Sequence, residues 1–472
     1  MKVIHVSAEC YPAAKVGGLA DVVGALPKYQ TNINHNASVV MPFYDNKFAK
    51  SATYNIDYET VVELGETAYN AQVLLVENSL ENLGYLLYQV KIEGLLDREN
   101  VYGYGDDTER FIAFQKVTLD WISQFQIKPE TIHCHDHHTG LIPFMVAHCN
   151  KYKAISNTPT VFTIHNADYQ GEFGFDKLHY LPEYDLEQSG LLEWDYIINP
   201  MASAIKTCWR YTTVSPNYLS ELKYSATGLD WLFDNEREKG AGILNGIDTE
   251  VWDPSTDTML AKNYNVDTVE AGKKANKLAL CKKFNLDPKK PLVAFIGRLV
   301  YQKGADIMAG IFDRALEAND INGLVLGSGD PHAEYLLNEL KEKYPNRYNT
   351  FIGYDEALSH LIYAGADFLI MPSRFEPCGL NQLYALRYGT IPVVRTTGGL
   401  KDTVKDIGEQ GGFGIRHEHV TVDDVALAIT RANKLANTPA EFKRIRKEIM
   451  NINNSWENSA KEYIELYNLI AK

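Results

Sequence analysis

Glu376 lies in a short loop whose residues could bind a phosphorylated sugar. The loop, residues 373–380, follows an apolar run at 366–372 that is typical of a buried parallel strand, and helical spacing follows it. At the carboxyl end of such a strand, the N–H groups of residues 379–381 can bind an anion, while Glu376 can accept hydrogen bonds from sugar hydroxyls. The loop therefore predicts a nucleotide-sugar site, although Pro377 and Gly379 alone are equally typical of an ordinary turn.

Two cations follow another predicted strand in the same half of the chain. The run 291–297 is apolar, and Arg298 and Lys303 come after it, five residues apart. A planar guanidinium and a lysine point charge beside one loop suit a diphosphate, and solvated surface charges are the alternative. We expect these two cations to share a site with Glu376.

A glycine pair opens a predicted helix near the amino terminus. Lys15 precedes Gly17 and Gly18, and amphipathic spacing continues to residue 27. Two glycines let the backbone approach a ligand closely, and the lysine can reach a phosphate there. The glycine fingerprint of dinucleotide-binding enzymes is absent both here and at 327–332, so a nicotinamide enzyme loses its main support.

Histidines cluster at the end of one strand, in residues 132–138, and His165 and Asn166 end another. The first cluster, which contains Asp136, raises the possibility of a metal site. Strand alternation sends neighbouring side chains to opposite faces, and the sequence offers no second ligand cluster. We therefore favour a polar strand end that lines a cleft, and we expect no metal.

Two α/β domains, each with a parallel sheet, are needed to position these loops. The 472 residues exceed what one core usually supports, and 45% hydrophobic residues give ample core. Alternating strands and helices predict doubly wound, Rossmann-like domains at 1–246 and 247–454, with a helix at 455–472. Hairpins and loops are predicted between residues 54 and 105.

The net charge of −15 argues against nucleic acid or an anionic membrane as the main partner, so an anionic ligand must be met by locally placed cations. Six scattered cysteines without CxxC spacing favour reduced thiols and a cytoplasmic location. Neither a membrane-length apolar run nor a signal peptide is evident, so we expect no membrane partner.

Several of these motifs occur together and in order across nearly the whole chain. They are Lys15-Val16-Gly17-Gly18-Leu19, His165-Asn166, Asn245-Gly246-Ile247-Asp248, Arg298 with Lys303, and Glu376-Pro377-Cys378-Gly379-Leu380. Taken jointly, they resemble the bacterial glycogen synthase and plant starch synthase family. The resemblance implies the GT-B fold, in which two Rossmann-like domains face a central cleft and the carboxyl-terminal helix returns to the first domain.

The resemblance also implies a retaining transfer of glucose from ADP-glucose to the non-reducing 4-hydroxyl of an α-1,4-glucan such as glycogen or starch. The sequence has no DxD-like acidic pair beside the predicted diphosphate loop and offers three cations, so we expect that no metal or other cofactor is needed. Catalytic roles fall by resemblance on Glu376, His165, Lys303 and Arg298. Substrate-binding roles fall on the remaining motif residues, namely Lys15, Gly17, Gly18, Asp136, Asn166, Asn245, Tyr354, Cys378, Gly379 and Leu380.

The chain departs from the family pattern at His137, where the family usually carries Trp, which affects the acceptor contacts expected near Asp136. Related retaining transferases often repeat a glutamate eight positions after the first. This chain has Tyr384 there, and glycogen synthases commonly have a tyrosine at that position too. A UDP-sugar transferase with another acceptor and a non-catalytic glucan-binding protein are the alternatives. The cationic set and Glu376 argue against the second, because a protein that only binds glucan needs no diphosphate site.

Overall fold

A computed structural model describes residues 1–471, and their internal packing divides the chain into two units. The first unit contains residues 1–245 together with the carboxyl-terminal segment from Trp456, and the second contains residues 246–455. Each boundary lies one residue from the position predicted from sequence. None of the described helices is long and apolar enough to cross a membrane.

The first unit is built on one large sheet. Its strands are, in chain order, β1 Lys2–Val6, β2 Asn36–Pro42, β3 Tyr54–Leu64, β4 Thr67–Val76, β5 Leu86–Ile92, β6 Thr131–His135, β7 Thr160–Ile164, β8 Glu193–Trp194, β9 Ile197–Ile198, β10 Arg210–Thr213 and β11 Gly240–Gly242. Its helices up to residue 245 are α1 Gly18–Asn32, α2 Lys47–Ser51, α3 Ser79–Leu83, α4 Asp107–Ser123, α5 Ile142–His148, α6 Pro200–Thr207, α7 Pro216–Glu221 and α8 Asp230–Asn235.

The strands of the large sheet follow the order β11-β10-β7-β6-β1-β2-β5-β4-β3, and β8 pairs only with β9. From β11 to β5 the neighbours are parallel, whereas β3, β4 and β5 pair antiparallel, which confirms the predicted hairpins. The chain leaves β1 toward β2 on one side and returns to β6 on the other. The loops after β1 and β6 therefore meet at a switch point, the usual ligand position in such sheets.

The second unit has a smaller, fully parallel sheet. Its elements are, in chain order, α9 Val269–Phe284, β12 Leu292–Ile296, α10 Ala305–Ala318, β13 Asn322–Gly327, α11 Pro331–Lys343, β14 Tyr348–Ile352, α12 Glu356–Gly365, β15 Phe368–Met371, α13 Asn381–Arg387, β16 Ile391–Arg395, α14 Gly398–Thr403, β17 Ile415–His417, α15 Val422–Ala436 and α16 Pro439–Met450. A short 3-10 helix lies at Tyr301–Lys303 in this unit. The described part of the first unit has five others, at His137–Thr139, Asn150–Ile155, Phe175–Tyr180, Leu186–Leu191 and Arg237–Lys239.

This sheet follows the order β14-β13-β12-β15-β16-β17, so its switch point lies between β12 and β15. The loop after β12 carries Arg298 and Lys303, and the loop after β15 carries Glu376. Separate apolar clusters cover the two faces of the sheet, because parallel strands are buried on both sides. The two doubly wound units confirm the predicted fold class.

The carboxyl-terminal helix α17, Trp456–Ile470, packs on α1 in the first unit. Trp456, Tyr463 and Tyr467 lie on its buried face with Val22 and Leu26 of α1. Ser459 Oγ also donates to the carbonyl of Leu244 at 2.5 Å. The predicted return of this helix to the first domain is therefore confirmed.

A buried charge cluster joins four elements of the second unit. Asp367, just before β15, accepts hydrogen bonds from the Leu292 backbone at 2.8 Å, from Lys277 at 2.6 Å and from Arg446. Burial of Asp367 opposes ionisation, but the charges of Lys277 and Arg446 outweigh it and hold the pKa of this carboxyl below its usual value. The cluster thus fixes β12, β15, α9 and α16 to one another.

Replacing Asp367 with Asn should destabilise the protein by about 3 to 5 kcal/mol, because it leaves the largely buried Lys277 without its anionic partner and Arg446 with Glu270 alone. Chemical denaturation measures this loss. The contribution of Asp367 is present at neutral pH and is lost as the pH falls through the depressed folded-state pKa, so the difference between the two proteins should narrow on acidification.

The matched control is Glu457→Gln on α17, where Glu457 pairs with Lys461 at 2.7 Å and both side chains are about half exposed. We expect a change below about 0.5 kcal/mol there. Equal losses in the two variants would show that Asp367 has no special structural weight.

Candidate active site

Lys303 and Glu376 form an ion pair at the switch point of the second unit. The 3-10 turn Tyr301–Lys303 presents the ammonium, and the loop after β15 presents the carboxylate. Ser373 Oγ donates to the same carboxylate oxygen, Oε2, at 2.9 Å. Over residues 1–471 no protein group occupies Oε1, so one oxygen of this buried carboxylate is available to a ligand.

Neighbouring contacts hold these two loops in register. Arg374 donates to both carboxylate oxygens of Asp306 at 2.7 and 2.8 Å, and its guanidinium lies 3.6 Å from the centre of the Tyr301 ring. The Arg374 N–H also donates to the Gln302 carbonyl at 2.8 Å. A bidentate pair of this kind restricts orientation as well as distance, so the Lys303–Glu376 geometry is preorganised.

A glycine pair, Gly398 and Gly399, begins α14 and packs directly against the Glu376 loop. Gly399 N–H donates to the Glu376 carbonyl at 3.1 Å, and Gly398 has φ of 44°. A Cβ at Gly398 would lie 2.0 Å from the same carbonyl oxygen, so only glycine fits there. The turn that begins α14 therefore packs against the Glu376 loop and supports it.

The residues after Glu376 present backbone donors. Gly379 has φ of 74°, a left-handed conformation that favours glycine, and α13 begins at Asn381. In the described part of the chain, the N–H groups of Gly379, Leu380 and Asn381 donate to no protein acceptor, as expected at a helix start. The side chain of Asn381 donates to the Ile296 carbonyl at 2.8 Å and so ties this turn to β12. Cys378 is buried.

The other predicted residues of this unit lie near the surface. Arg298 is exposed, and within residues 1–471 its guanidinium forms no ion pair. Tyr354, which follows β14, has 80% of its side chain exposed.

Tyr384 is buried, and its ring stacks on Trp252 with the ring centres 3.7 Å apart. Tyr384 therefore contributes an aromatic wall where related transferases often have a second carboxylate.

In the first unit, Glu9 holds the glycine loop that follows β1. Its Oε2 accepts the N–H groups of Val16 at 2.5 Å and Gly17 at 2.9 Å, and its Oε1 accepts the hydroxyl of Tyr102 at 2.7 Å. Glu9 could not be predicted from the sequence, because its spacing from Gly17 carries no signal until the loop folds back. Lys15 pairs with Asp21 in the first turn of α1 at 2.7 Å.

Gly17 and Gly18 leave open space at the start of α1. A Cβ at either position would meet no protein atom within 4 Å. Packing within the described protein therefore does not require glycine here. The missing side chains keep the helix start accessible, as the predicted phosphate contact needs.

Asp136 sits at the end of β6 in a strained backbone conformation, with φ of 56°. Its Oδ1 accepts the N–H of His165 at 2.7 Å, so the ends of β6 and β7 are tied together. Burial raises the pKa of Asp136 to about 7, and hydrogen bonds from the backbone of His165 and Asn166 oppose this rise. Strain and a raised pKa at a strand end are typical of functional residues.

His165 and Asn245 also have polar atoms left for a ligand. Nε2 of His165 lies 3.0 Å from His135 Nδ1, and the ring is 9% exposed. In residues 1–471, the buried Oδ1 of Asn245 has no hydrogen-bond partner. Asn166, in contrast, uses its Oδ1 in a local turn by accepting the N–H of Asp168 at 3.0 Å.

The histidine cluster corrects one expectation. Asp136 reaches the strand end as predicted, but His133 and His135 are fully buried and do not line a cleft. His5, His133 and His135 place ring nitrogens within 4.8 Å of one another. However, both nitrogens of His133 are engaged, by Tyr467 at 2.6 Å and Thr163 at 2.5 Å. A metal would have to displace these hydrogen bonds.

His137, the departure from the family pattern, is half-buried, and its ring lies against that of His138 with the ring centres 3.7 Å apart and the ring planes tilted. Burial lowers the pKa of His137 to about 4, so the ring is neutral at pH 7. A Cβ at Gly171, which has φ of 75°, would lie 2.4 Å from this ring. His137 is smaller than the Trp usual in the family, and it packs against its neighbours as a neutral ring.

Two family models match the two units in turn. The model described as the starch synthase catalytic domain matches residues 2–235, and the model described as glycosyl transferases group 1 matches residues 277–448. Glycogen synthase of Flavobacterium johnsoniae is 52% identical over 472 residues, covering 100% of this chain and 99% of the relative. Glycogen synthase of Finegoldia magna is 38% identical and covers 100% of both chains.

Solved structures agree with this assignment. The catalytic domain of starch synthase IV from Arabidopsis thaliana, bound to ADP and acarbose, matches with a TM-score of 0.89 and 32% identity, covering 100% of this chain and 99% of that one. Sucrose-phosphate synthase from Thermosynechococcus elongatus, at 18% identity and a TM-score of 0.60, shares the fold, and the predicted GT-B class is confirmed. The chain therefore belongs to the glycogen synthase and starch synthase family of glycosyltransferases, whose reaction is glucosyl transfer in the synthesis of glycogen or starch.

Proposed function

We propose that this chain transfers glucose with retention from ADP-glucose to the non-reducing 4-hydroxyl of an α-1,4-glucan. One observation carries the proposal, namely that Lys303 pairs with Glu376 beside unblocked backbone donors at the switch point of the second unit. A cation, a carboxylate with one available oxygen and a helix start are the groups needed for a diphosphate joined to a sugar.

Departure of the nucleoside diphosphate creates negative charge that must be stabilised. Arg298 is exposed and Lys303 is held in place by Glu376, so both can serve the diphosphate. Lys15, beside the side-chain-free positions Gly17 and Gly18, is assigned to a further phosphate contact. Donors placed before the reaction lower the barrier because they need little reorganisation as charge develops.

Glu376 is assigned to the donor sugar. Its Oε2 is engaged by Lys303 and Ser373, and the available Oε1 can accept hydrogen bonds from glucose hydroxyls. Binding the sugar through hydroxyls orients the anomeric carbon without reacting with it. His165 and Asp136 are assigned to sugar contacts from the first unit.

Retention needs either a covalent intermediate or attack on the face that the leaving group vacates. Tyr384 occupies the position of the second carboxylate and stacks on Trp252, so it offers no nucleophilic carboxylate. We therefore favour same-face attack, in which a leaving phosphate oxygen accepts the proton of the acceptor hydroxyl. In that step the bond from the anomeric carbon to the phosphate oxygen breaks, and the new bond to the acceptor oxygen forms.

ADP is the favoured leaving group, because the matching starch synthase IV structure is bound to ADP. Tyr354, exposed after β14, is the residue proposed to contact the base. We also propose that no metal is needed, because Lys15, Arg298 and Lys303 can balance the charge of the diphosphate.

Glu376→Gln should lower kcat by about 10²-fold or more, the scale for losing one preorganised polar contact in a transition state. Glucan elongation with the donor supplied at saturation measures this loss. Affinity for ADP should not fall, because the glutamine amide oxygen can still accept a hydrogen bond from Lys303 and the substitution removes a negative charge near the diphosphate. The control is Glu339→Gln on the exposed face of α11, and near-normal kcat in a folded Glu376→Gln variant would refute the role.

Arg298→Ala should weaken ADP binding by about 1.5 to 3 kcal/mol, the range for hydrogen bonds to charged groups. Calorimetric titration with ADP measures the change. Arg314→Ala is the matched control, because Arg314 is also an exposed arginine of this unit, 3.7 Å from Asp423. If both variants bind ADP as tightly as the parent, Arg298 is only a surface charge.

Donor choice and metal independence can be tested in one assay. A pocket shaped for adenine should prefer ADP-glucose over UDP-glucose by roughly 10- to 200-fold in kcat/KM. Because protein cations are proposed to balance the diphosphate, the rate should persist in excess EDTA. Equal kcat/KM values would refute the donor assignment, and loss of activity restored by Mg²⁺ would refute metal independence.

A further inference from the structure

A continuous chain of hydrogen bonds crosses the core of the first unit and ends on His165. We call it the imidazole relay. Every member except His165, which is 9% exposed, is fully buried. In spatial order its members are Thr212, Thr163, His133, Tyr467, Gln30, His5, His135 and His165.

The inner half of the relay runs from the sheet to the carboxyl-terminal helix. Oγ1 of Thr212 and Oγ1 of Thr163 are 2.6 Å apart, and Thr163 Oγ1 lies 2.5 Å from Nε2 of His133. Nδ1 of His133 lies 2.6 Å from the hydroxyl of Tyr467 on α17. That hydroxyl also accepts a hydrogen bond from Gln30 Nε2 at 3.3 Å.

The outer half of the relay runs from α1 to the candidate active site. Oε1 of Gln30 lies 2.8 Å from Nε2 of His5, and Nδ1 of His5 lies 3.0 Å from Nε2 of His135. Nδ1 of His135 lies 3.0 Å from Nε2 of His165. His165 Nδ1 therefore stands at the end of the chain, and no other group in residues 1–471 bonds to it.

The sheet places these rings together because β10, β7, β6 and β1 are neighbours. His133 pairs in register with His5, and His135 pairs with Thr163. His133 and His135 are two residues apart on β6, so they lie on the same face of the sheet. Gln30 of α1 and Tyr467 of α17 cover that face.

A relay of neutral imidazoles can have only one direction at a time, because each ring donates through one nitrogen and accepts through the other. Burial lowers the pKa of His5 to about 4 and of His165 to about 3, and burial also places the pKa of His133 and of His135 well below the usual value. All four rings are therefore neutral at pH 7. The direction must then be set by a group whose donor and acceptor atoms are fixed.

Gln30 is that group. Its Oε1 faces His5, so His5 donates from Nε2 and accepts at Nδ1. His135 must then donate from Nε2 to His5, and His165 must donate from Nε2 to His135. The amide of Gln30 is held in this orientation because its Nε2 faces the Tyr467 hydroxyl, which donates to His133.

We propose that the imidazole relay holds His165 in the tautomer with hydrogen on Nε2, so that Nδ1 accepts a hydrogen bond from a substrate hydroxyl. Gln30, His5 and His135 are then positioning residues that act on the reaction through His165. The tautomer itself follows from this unit alone. Its effect on the rate rests on the proposed function, which places a sugar against His165.

A metal site is the rival explanation for three clustered histidines. His5 Nδ1 and His135 Nε2 lie 3.0 Å apart, directly bonded, and the second nitrogen of each ring is also engaged, by Gln30 and by His165. His133 likewise uses both nitrogens. The described cluster therefore offers no ring nitrogen that is free for an ion, whereas a hydrogen-bonded relay uses them all.

The first test reads the tautomer without substrate. The full-length chain is labelled with ¹⁵N-histidine, and two-bond ¹H–¹⁵N correlation distinguishes Nε2–H from Nδ1–H. The His165 signal is assigned by its loss in His165→Gln. We expect Nε2–H in the parent and in Gln30→Glu, which keeps only an acceptor toward His5.

Gln30→Lys, which offers only donors, should reverse the relay and move the hydrogen of His165 to Nδ1. Gln30→Met is a near-isosteric variant without a strong donor or acceptor, and it should give a mixture of the two tautomers. Gln30→Met answers the question even if a lysine at this buried position prevents folding. An unchanged His165 tautomer in every folded Gln30 variant would overturn the proposal, as would Nδ1–H in the parent.

The second test measures glucan elongation in the same variants. Relative to Gln30→Glu, kcat should fall about tenfold in Gln30→Lys and less in Gln30→Met, the scale of one hydrogen bond. Tyr467→Phe should also lower kcat, because it removes the hydroxyl that orients Gln30. Tyr463→Phe is the matched control, because Tyr463 is equally buried one turn earlier on α17 and is not a member of the relay.

The outcomes separate this inference from the proposed function. A purely structural role for Gln30 predicts that both charged variants lose activity alike, and that result would overturn the positioning role. A tautomer that responds to Gln30 while kcat stays constant would also overturn it, and would leave the transferase reaction intact. If the parent elongates no glucan, the proposed function fails, whereas the tautomer measurement still decides the relay.

Discussion

A buried parallel sheet can expose polar groups only at its ends, and this constraint governs both units. Strands covered on both faces carry apolar side chains, or polar ones that are hydrogen-bonded within the core, because an unpaired polar group there is costly. The second sheet is covered by separate apolar clusters on its two faces, so its chemistry is confined to the loops after β12 and β15. The same argument places Lys15, Asp136 and His165 after β1, β6 and β7.

The charge of the chain adds a second constraint. With a net charge of −15, the protein as a whole repels an anionic substrate, so attraction must be local. Two of the cations assigned to phosphate already have carboxylate partners, Asp21 for Lys15 and Glu376 for Lys303. These carboxylates hold the ammonium groups in fixed positions without a ligand. Arg298, exposed and without an ion pair in residues 1–471, can adjust to the ligand.

Both units also contain hydrogen-bonded networks of polar groups in their cores. In the second unit, Asp367 accepts hydrogen bonds from Lys277, from Arg446 and from a backbone N–H. In the first unit, the imidazole relay connects α17 to His165 through neutral rings. Buried networks of this kind specify a unique arrangement, because any slip leaves donors or acceptors without partners. The carboxyl-terminal helix is thereby tied to the site by hydrogen bonds as well as by apolar packing.

The fold class, the hairpins between β2 and β6 and the loops that carry Glu376, Arg298 and Lys303 could be predicted from the sequence, because these features depend on local patterns. Apolar runs, glycine turns and helical spacing can be read within a few residues. Which distant groups meet could be learned only from the folded chain. Lys303 pairs with Glu376, and Glu9 binds the glycine loop, although the separation of these residues in sequence carries no signal. The burial of His133 and His135 likewise depends on what the rest of the chain packs against β6. The sheet order brings them together, and it emerges only when the whole chain is packed.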